Sequence, residues 1–280
     1  MTEIYEYAAE NGFIAGVCSA EVLTPPKGTK LPWNFEEKSV IVIGVGYGMR
    51  EDFAVDKIPR GRLAMYTIGE DYHAVVRGKL EGLRDYLNKH VVSFESYIHV
   101  DSGPLPERKL ALAAGIGRLG KNGCIISDRF GSFFNIGCMV VDCEIADAGA
   151  AICRPLVGCD DCGACVKACP TGVFKDNDYA KCISAITQKK GELSEWEQAA
   201  MGNHLFGCDI CQFVCPCNKG KHIGVITDID GIMPRLDSVL AMAESEYSEK
   251  YGNTAMSWRG LSVLQRNAEI VYKNLRKGDN

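Results

Sequence analysis

No run of residues in this chain is long and apolar enough to span a bilayer, so no membrane-spanning helix is expected. Positive charge is not in excess either. The 31 Lys and Arg residues stand against 36 Asp and Glu, and a formal charge of −5 gives no global electrostatic case for gripping nucleic acid. The chain opens with no signal peptide and no twin-arginine leader, it contains no low-complexity segment, and it repeats nothing except a cysteine pattern. Cysteine itself is plentiful, at 14 of 280 residues. A chain of this length with 46% apolar residues builds its core without disulfide staples, so thiols in this number point to metal chemistry in a reducing, cytoplasmic setting.

Four of those thiols form the run Cys159, Cys162, Cys165 and Cys169, closed by Pro170. This is the C-x2-C-x2-C-x3-C-P spacing by which bacterial two-cluster ferredoxins hold [4Fe–4S] clusters. A second copy, Cys208, Cys211 and Cys215 before Pro216, keeps the last three positions and lacks the first. In such pairs the first three cysteines of a run wrap one cube and the fourth reaches the other. Cys159, Cys162, Cys165 and Cys215 are therefore assigned to cluster one, and Cys169, Cys208 and Cys211 to cluster two. Counting leaves cluster two one thiolate short. Cys182, between the motifs at the start of an expected helix, completes the eight. A pair of zinc sites is the competing reading, since C-x2-C pairs also suit tetrahedral zinc, but it leaves the proline-terminated third and fourth cysteines unexplained. Of the other thiols, Cys18, Cys124 and Cys143 read as buried hydrophobes, while Cys153 and Cys217 read as spare thiols beside a cluster.

The remaining pattern is α+β. Ser39 to Gly46 is a β-branched run expected to be a strand buried on both faces, and 69–90 an amphipathic helix with Asp71 placed to cap it. Strands are expected over 94–100 and 133–145, and a helix over 107–114. An α/β module over 1–150 is followed by a ferredoxin-like two-cluster module over 151–222. A helical segment over 223–280, two or three helices broken at Gly252 and Gly260, packs back on the first module. Gly115, Gly117 and Gly120 spell G-x-G-x-x-G, but the residues before them are helical rather than a strand, so no dinucleotide site is expected. A basic stretch near the end, with Arg259, Arg266, Lys273, Arg276 and Lys277, reads as a solvated helix face at least as well as a binding patch.

Several segments resemble the epoxyqueuosine reductase family. They include Gly69-Glu-Asp71-Tyr72-His73, Val100-Asp101-Ser-Gly-Pro104-Leu-Pro-Glu107-Arg108, Ala114-Gly115-Ile-Gly117-Arg-Leu-Gly120-Lys121-Asn122, and Gly131-Ser132. Downstream come Lys181-Cys182-Ile-Ser, the second cysteine run, Ser257-Trp258-Arg259-Gly260 and Gln265-Arg266-Asn267. The resemblance implies a cobalamin held by the first module with its cobalt near cluster one. The D-x-H-x-x-G motif is missing, and none of His73, His90, His99, His204 or His222 supplies it, which fits a base-off cofactor. By the same carry-over Asp101 is the proton donor, with a pKa raised by partial burial against the corrin, although Asp-Ser-Gly-Pro is equally a good turn. Arg108, Lys121, Asn122, Ile125, Ile136 and Cys138 would line the cofactor or substrate.

The implied reaction removes an epoxide oxygen with two electrons and two protons, the electrons arriving singly through the clusters from a low-potential donor of ferredoxin or flavodoxin type. tRNA is the implied partner of a monomer, weakened by the end of the chain at Asn280, before the helical repeats that family members use to grip it. The chain also departs from the family in placing Cys138 where a glutamate is usual, which would put a reactive thiol at the cofactor, and Ala64 where some members have cysteine. An electron carrier or reductive activator of corrinoid proteins, and a corrinoid reductase of another small molecule, including a dehalogenase, are the alternatives.

Overall fold

The structure, a computed structural model, describes residues 2–23, 30–50, 57–145, 159–221, 225–226 and 228–278. The chain divides into two compact units, one of Met1–Tyr47, Tyr72–Asp161 and Cys217–Lys221, the other of Gly48–Asp71, Cys162–Pro216 and His222–Asn280.

In the first unit, helix α1 (Thr2–Glu10) leads into strand β1 (Ile14–Ser19), and β2 (Ser39–Gly46), helix α2 (Tyr72–His90), β3 (Ser96–His99), α3 (Glu107–Ala113) and β4 (Phe134–Val141) follow. The four strands form one sheet in the order β1-β2-β4-β3. Every pairing in it is antiparallel, with Cys18 opposite Val40, Val42 opposite Cys138, and Cys138 opposite His99. The apolar run in β2 is buried as expected, and the sheet of the α/β module is antiparallel throughout. That run signals burial on two faces and carries no information about strand direction. Here Ile41, Ile43, Met139 and Val141 meet Val76, Leu80, Leu83 and Leu87 of α2 in one core, while α3 packs on the opposite face, over Val40, Val42 and Cys138. Gly137 lets helix and sheet approach closely, since a Cβ there would stand 2.4 Å from Val76. Helix α2 begins at Tyr72, directly after Asp71, and not at 69, because Gly69 takes φ +87° and cannot continue a right-handed helix.

In the second unit, Arg62–Leu63 pairs in parallel with His204–Phe206, and the pair anchors a core of Leu63, Ile186, Met201, Leu205, Phe206, Leu236, Val239, Leu264 and Val271. Residues 57–71 therefore leave the segment 1–150 and join the cysteine-rich region. Among the described residues the C-terminal part holds four helices, not two or three: Ile229–Ile232, Leu236–Ala241, Glu244–Tyr251 and Leu261–Gly278. Gly252 and Gly260 mark breaks as expected, Gly260 with φ +79°. The last helix packs on Leu236–Ala241, Glu195–Ala200 and His204–Phe206, within the unit that carries the second cysteine run. The expected boundaries at 150 and 222 give way to this division. No helix among the described residues is long and apolar enough to cross a membrane.

Asn267 is the polar pin of this core. It is fully buried and its amide donates to Thr187 O at 2.8 Å and Leu205 O at 2.7 Å. Asn267→Ala removes both bonds and leaves Thr187 O only the long contact from Arg266 at 3.5 Å, and it is expected to lower unfolding stability by about 2–3 kcal/mol, read anaerobically as a lower urea midpoint at unchanged slope.

Candidate functional site

The cysteines are positioned by short helices and their caps. Gly163, left-handed at φ +57°, starts helix α4 (Ala164–Ala168), and extended Cys169 ends it. Helix α4 packs on Ile210–Phe213, which brings the two cysteine runs together in the second unit. Burial opposes ionisation of Cys169, but the Thr171 hydroxyl, 3.5 Å from Sγ, and the backbone of Val173, Thr171 and Gly172 bond to the sulfur and bring the thiol below its ordinary value. Cys182 occupies the cap position of helix Ile183–Thr187, the helix start read from sequence. Burial raises its thiol, the Ser184 and Ala185 backbone partly offsets this, and the charges of Cys211 and Cys169 add to the rise. Burial likewise pushes Cys208 up to about 12, with Asp209, Cys211 and Cys182 contributing.

Cys182 thus lies within reach of the charges of Cys169 and Cys211, and Cys208 within reach of those of Cys182 and Cys211. Four thiolates crowded in this way need cationic charge among them to stay ionised, and coordinated iron supplies it. Among the described residues no three His, Cys, Asp or Glu side chains are grouped to hold a single metal ion. The thiolates of a cubane each bind a different iron, so a cluster needs its four sulfurs spread around it rather than converging on one point. Of the thiols assigned to cluster one, Cys162 is exposed and Cys165 and Cys215 are partly buried. Cys159 lies in the first unit, where the Lys121 backbone N–H donates to its sulfur at 3.3 Å.

That N–H comes from the glycine motif. Arg118–Leu119 and Ile125–Ile126 pair as a tight antiparallel hairpin, with the turn at 121–123. A Cβ at Gly120 would stand 2.6 Å from Asn122 Oδ1, so glycine is needed there for packing. A hairpin cannot offer a helix N-terminus to a pyrophosphate, and it aims a backbone donor at a thiolate instead. Cys124 in this hairpin and Cys143 just past β4 are only partly buried, in contrast to the expectation, because both lie in connections at element ends; Cys18 is buried as expected. Cys217 is partly buried in the turn Pro216–Asn218, while Cys153 and His222 lie outside the described residues.

Asp101 follows β3 with φ +62°, a left-handed conformation that costs a non-glycine residue about 1 kcal/mol. The side chain is 52% exposed, with Oδ2 3.4 Å from His73 Nε2 and accepting from Ser102 Oγ at 3.2 Å. Its backbone N–H donates to Glu107 Oε1 at 2.6 Å. Burial pushes the Glu107 carboxyl up to about 7. Arg108 is exposed and donates to Gly123 O; Lys121 is exposed, Ile125 buried and Ile136 partly buried. Asn122 is buried, with Nδ2 lacking a hydrogen-bond partner, a donor that suits the carbonyl-bearing amide rim of a corrinoid. Cys138 overturns the expectation of a reactive thiol at the cofactor. It is fully buried under α3, and burial, with the charges of Glu107 and Cys18, holds its thiol well above the ordinary value. Glu107, His73 and His99 were passed over as site residues. Glu107 and His73 lie in quoted segments, but only packing shows which side chains are buried against Asp101.

Residues 158–218 match the family model described as 4Fe-4S double cluster binding domain, and residues 33–102 the one described as epoxyqueuosine reductase QueG, DUF1730. An epoxyqueuosine reductase of Staphylococcus aureus is 34% identical over 281 residues, covering 96% of this chain and 72% of the relative. The solved epoxyqueuosine reductase of Streptococcus thermophilus superposes with a TM-score of 0.84 at 31% identity, over 98% of this chain and 81% of that one. An epoxyqueuosine reductase solved with an epoxyqueuosine-modified tRNA-Tyr stem loop gives the same score at 30% identity, over 98% and 80%. The chain spans about 58–72% of the length of these curated relatives and others like them.

Proposed function

Because the chain belongs to the epoxyqueuosine reductase family, a family of oxidoreductases with a 4Fe-4S binding domain, we propose that it reduces the epoxide of epoxyqueuosine in tRNA. The epoxide, two electrons and two protons give the alkene and water. The observation that carries the reading is the packing of α4 on Ile210–Phe213, which brings the two cysteine runs together as a ligand set for a one-electron store. With Cys159, Cys162, Cys165 and Cys215 as the second set, two clusters pass electrons from a ferredoxin- or flavodoxin-type donor to the reducing centre.

A base-off cobalamin, when bound, supplies the low-potential metal that a strained C–O bond requires. Toward that group the chain offers Asn122 Nδ2 as a donor, Arg108 and Lys121 as exposed cations, and Ile136 as an apolar wall. Asp101 delivers a proton from its half-exposed carboxyl, and His73 at 3.4 Å replaces it from solvent. For tRNA the second unit offers Trp258, 59% exposed with the Arg259 guanidinium 3.4 Å from its ring centre, a flat surface on which an unpaired base stacks. Arg266 is unavailable for phosphate, since it bonds Lys189 O and Gly191 O.

Anaerobic reconstitution with iron, sulfide, cobalamin and a strong reductant is expected to give turnover of epoxyqueuosine tRNA. A fully loaded protein without turnover retires the substrate, and a protein that takes up iron but no corrinoid is a carrier rather than the reductase.

A further inference from the structure

Beneath the Asp101 turn lie titratable groups that the chemistry above leaves unused. Glu107 opens α3, His99 ends β3, and Cys138 stands opposite His99 on β4. Glu107 Oε1 accepts the Asp101 N–H at 2.6 Å. The His99 ring, 2% exposed, bonds to the Asp101 backbone in the sense that favours a protonated ring nitrogen, which makes the Asp101 carbonyl the acceptor. Its Nε2 has no hydrogen-bond partner and sits 3.6 Å from Glu107 Oε1. Gly103 lets the turn close over the ring, since a Cβ there would stand 2.6 Å from His99 Cε1. Both backbone polar groups of a left-handed residue are therefore held by two side chains that face each other.

We propose that Glu107 and His99 are a positioning pair that shares one proton and clamps the Asp101 turn so that its carboxyl is presented. With Nδ1–H committed to the carbonyl, Nε2 carries a lone pair, and an ionised Glu107 offers it only another. A proton on Glu107 converts this repulsion into an O–H···N bond while the carboxyl still accepts the Asp101 N–H. Asp101 and His73 act on Glu107; Arg77 of α2 acts on His99, and the Cys138 thiol on β4, with Cys18 beside it on β1, completes the surroundings. Burial lowers the ring, raises Glu107 to about 7 and raises Cys138 far above it, so near neutrality the proton resides on the carboxyl.

The significance of the clamp for catalysis rests on the role proposed for Asp101, but the clamp has its own readout. In the anaerobically prepared holoprotein with 15N-labelled histidine, the His99 Nε2 shift is expected to step near pH 7 and to lose that step in Glu107→Gln, whose amide donates to Nε2 at every pH. In Glu107→Ala, hydrogen exchange of the Asp101 amide is expected to quicken at least tenfold. An identical step in Glu107→Gln, or unchanged exchange in Glu107→Ala, overturns the pair. In the reconstituted enzyme the same chemistry predicts a pH-rate inflection near 7 that Glu107→Gln flattens, and a kcat about 100-fold lower in Glu107→Ala from a misplaced turn. A clamp present by NMR in a protein without epoxide turnover removes the role of Asp101 and leaves the pair standing.

Discussion

Cys182→Ala is expected to halve the iron content of the anaerobically purified protein, from about eight to about four per chain, and to abolish turnover. Cys182 stands at the cap position of Ile183–Thr187, and its sulfur feels the charges of Cys211 and Cys169. With the fourth corner of that quartet gone, one iron has no protein ligand, and a cubane with an open corner at a partly exposed site loses iron to oxygen and chelators. Alanine is the informative replacement because a serine oxygen can still bind iron. Cys217→Ala is the control, and it is expected to keep all the iron, since eight other cysteines already fill the ligand positions of two clusters. Full iron and an unchanged reduced-state EPR spectrum in Cys182→Ala would place the eighth ligand elsewhere. The loss of activity follows from electron supply: the reaction takes two electrons, and a broken relay delivers neither.

Asp101→Asn is expected to lower the rate of epoxyqueuosine reduction by about 100-fold to 10,000-fold with iron and corrinoid content unchanged. Asparagine keeps the size of the side chain and is among the few residues that tolerate φ near +62°, so the turn survives while the transferable proton does not. Alanine would confound the result by adding left-handed strain. Product formation on epoxyqueuosine tRNA, followed under single-turnover conditions with pre-reduced protein, isolates proton delivery from electron supply. A variant as fast as the parent would show that Asp101 is only a turn-former, the reading that Asp-Ser-Gly-Pro allows by itself.

Legibility followed the range of the interactions involved. The double-cluster region was readable because each cysteine run is local. Helix α2 was readable from its apolar spacing, with its start misjudged only at Gly69. Strand direction was not, because β2 is covered on both faces and its sequence is the same in a parallel or antiparallel sheet. Cys138 was misjudged because nothing in Gly137-Cys138-Met139 tells which alternate residue lies under α3.

By itself, the sequence determined the iron chemistry of this protein: thiolates at fixed spacing wrap a cube whatever surrounds them, so the spacing alone carries the assignment. The tertiary structure decided that the Glu107 carboxyl is raised toward neutral pH. Desolvation is a property of the packed neighbourhood, and α3 and the sheet close over Glu107 whatever the residues beside it in sequence.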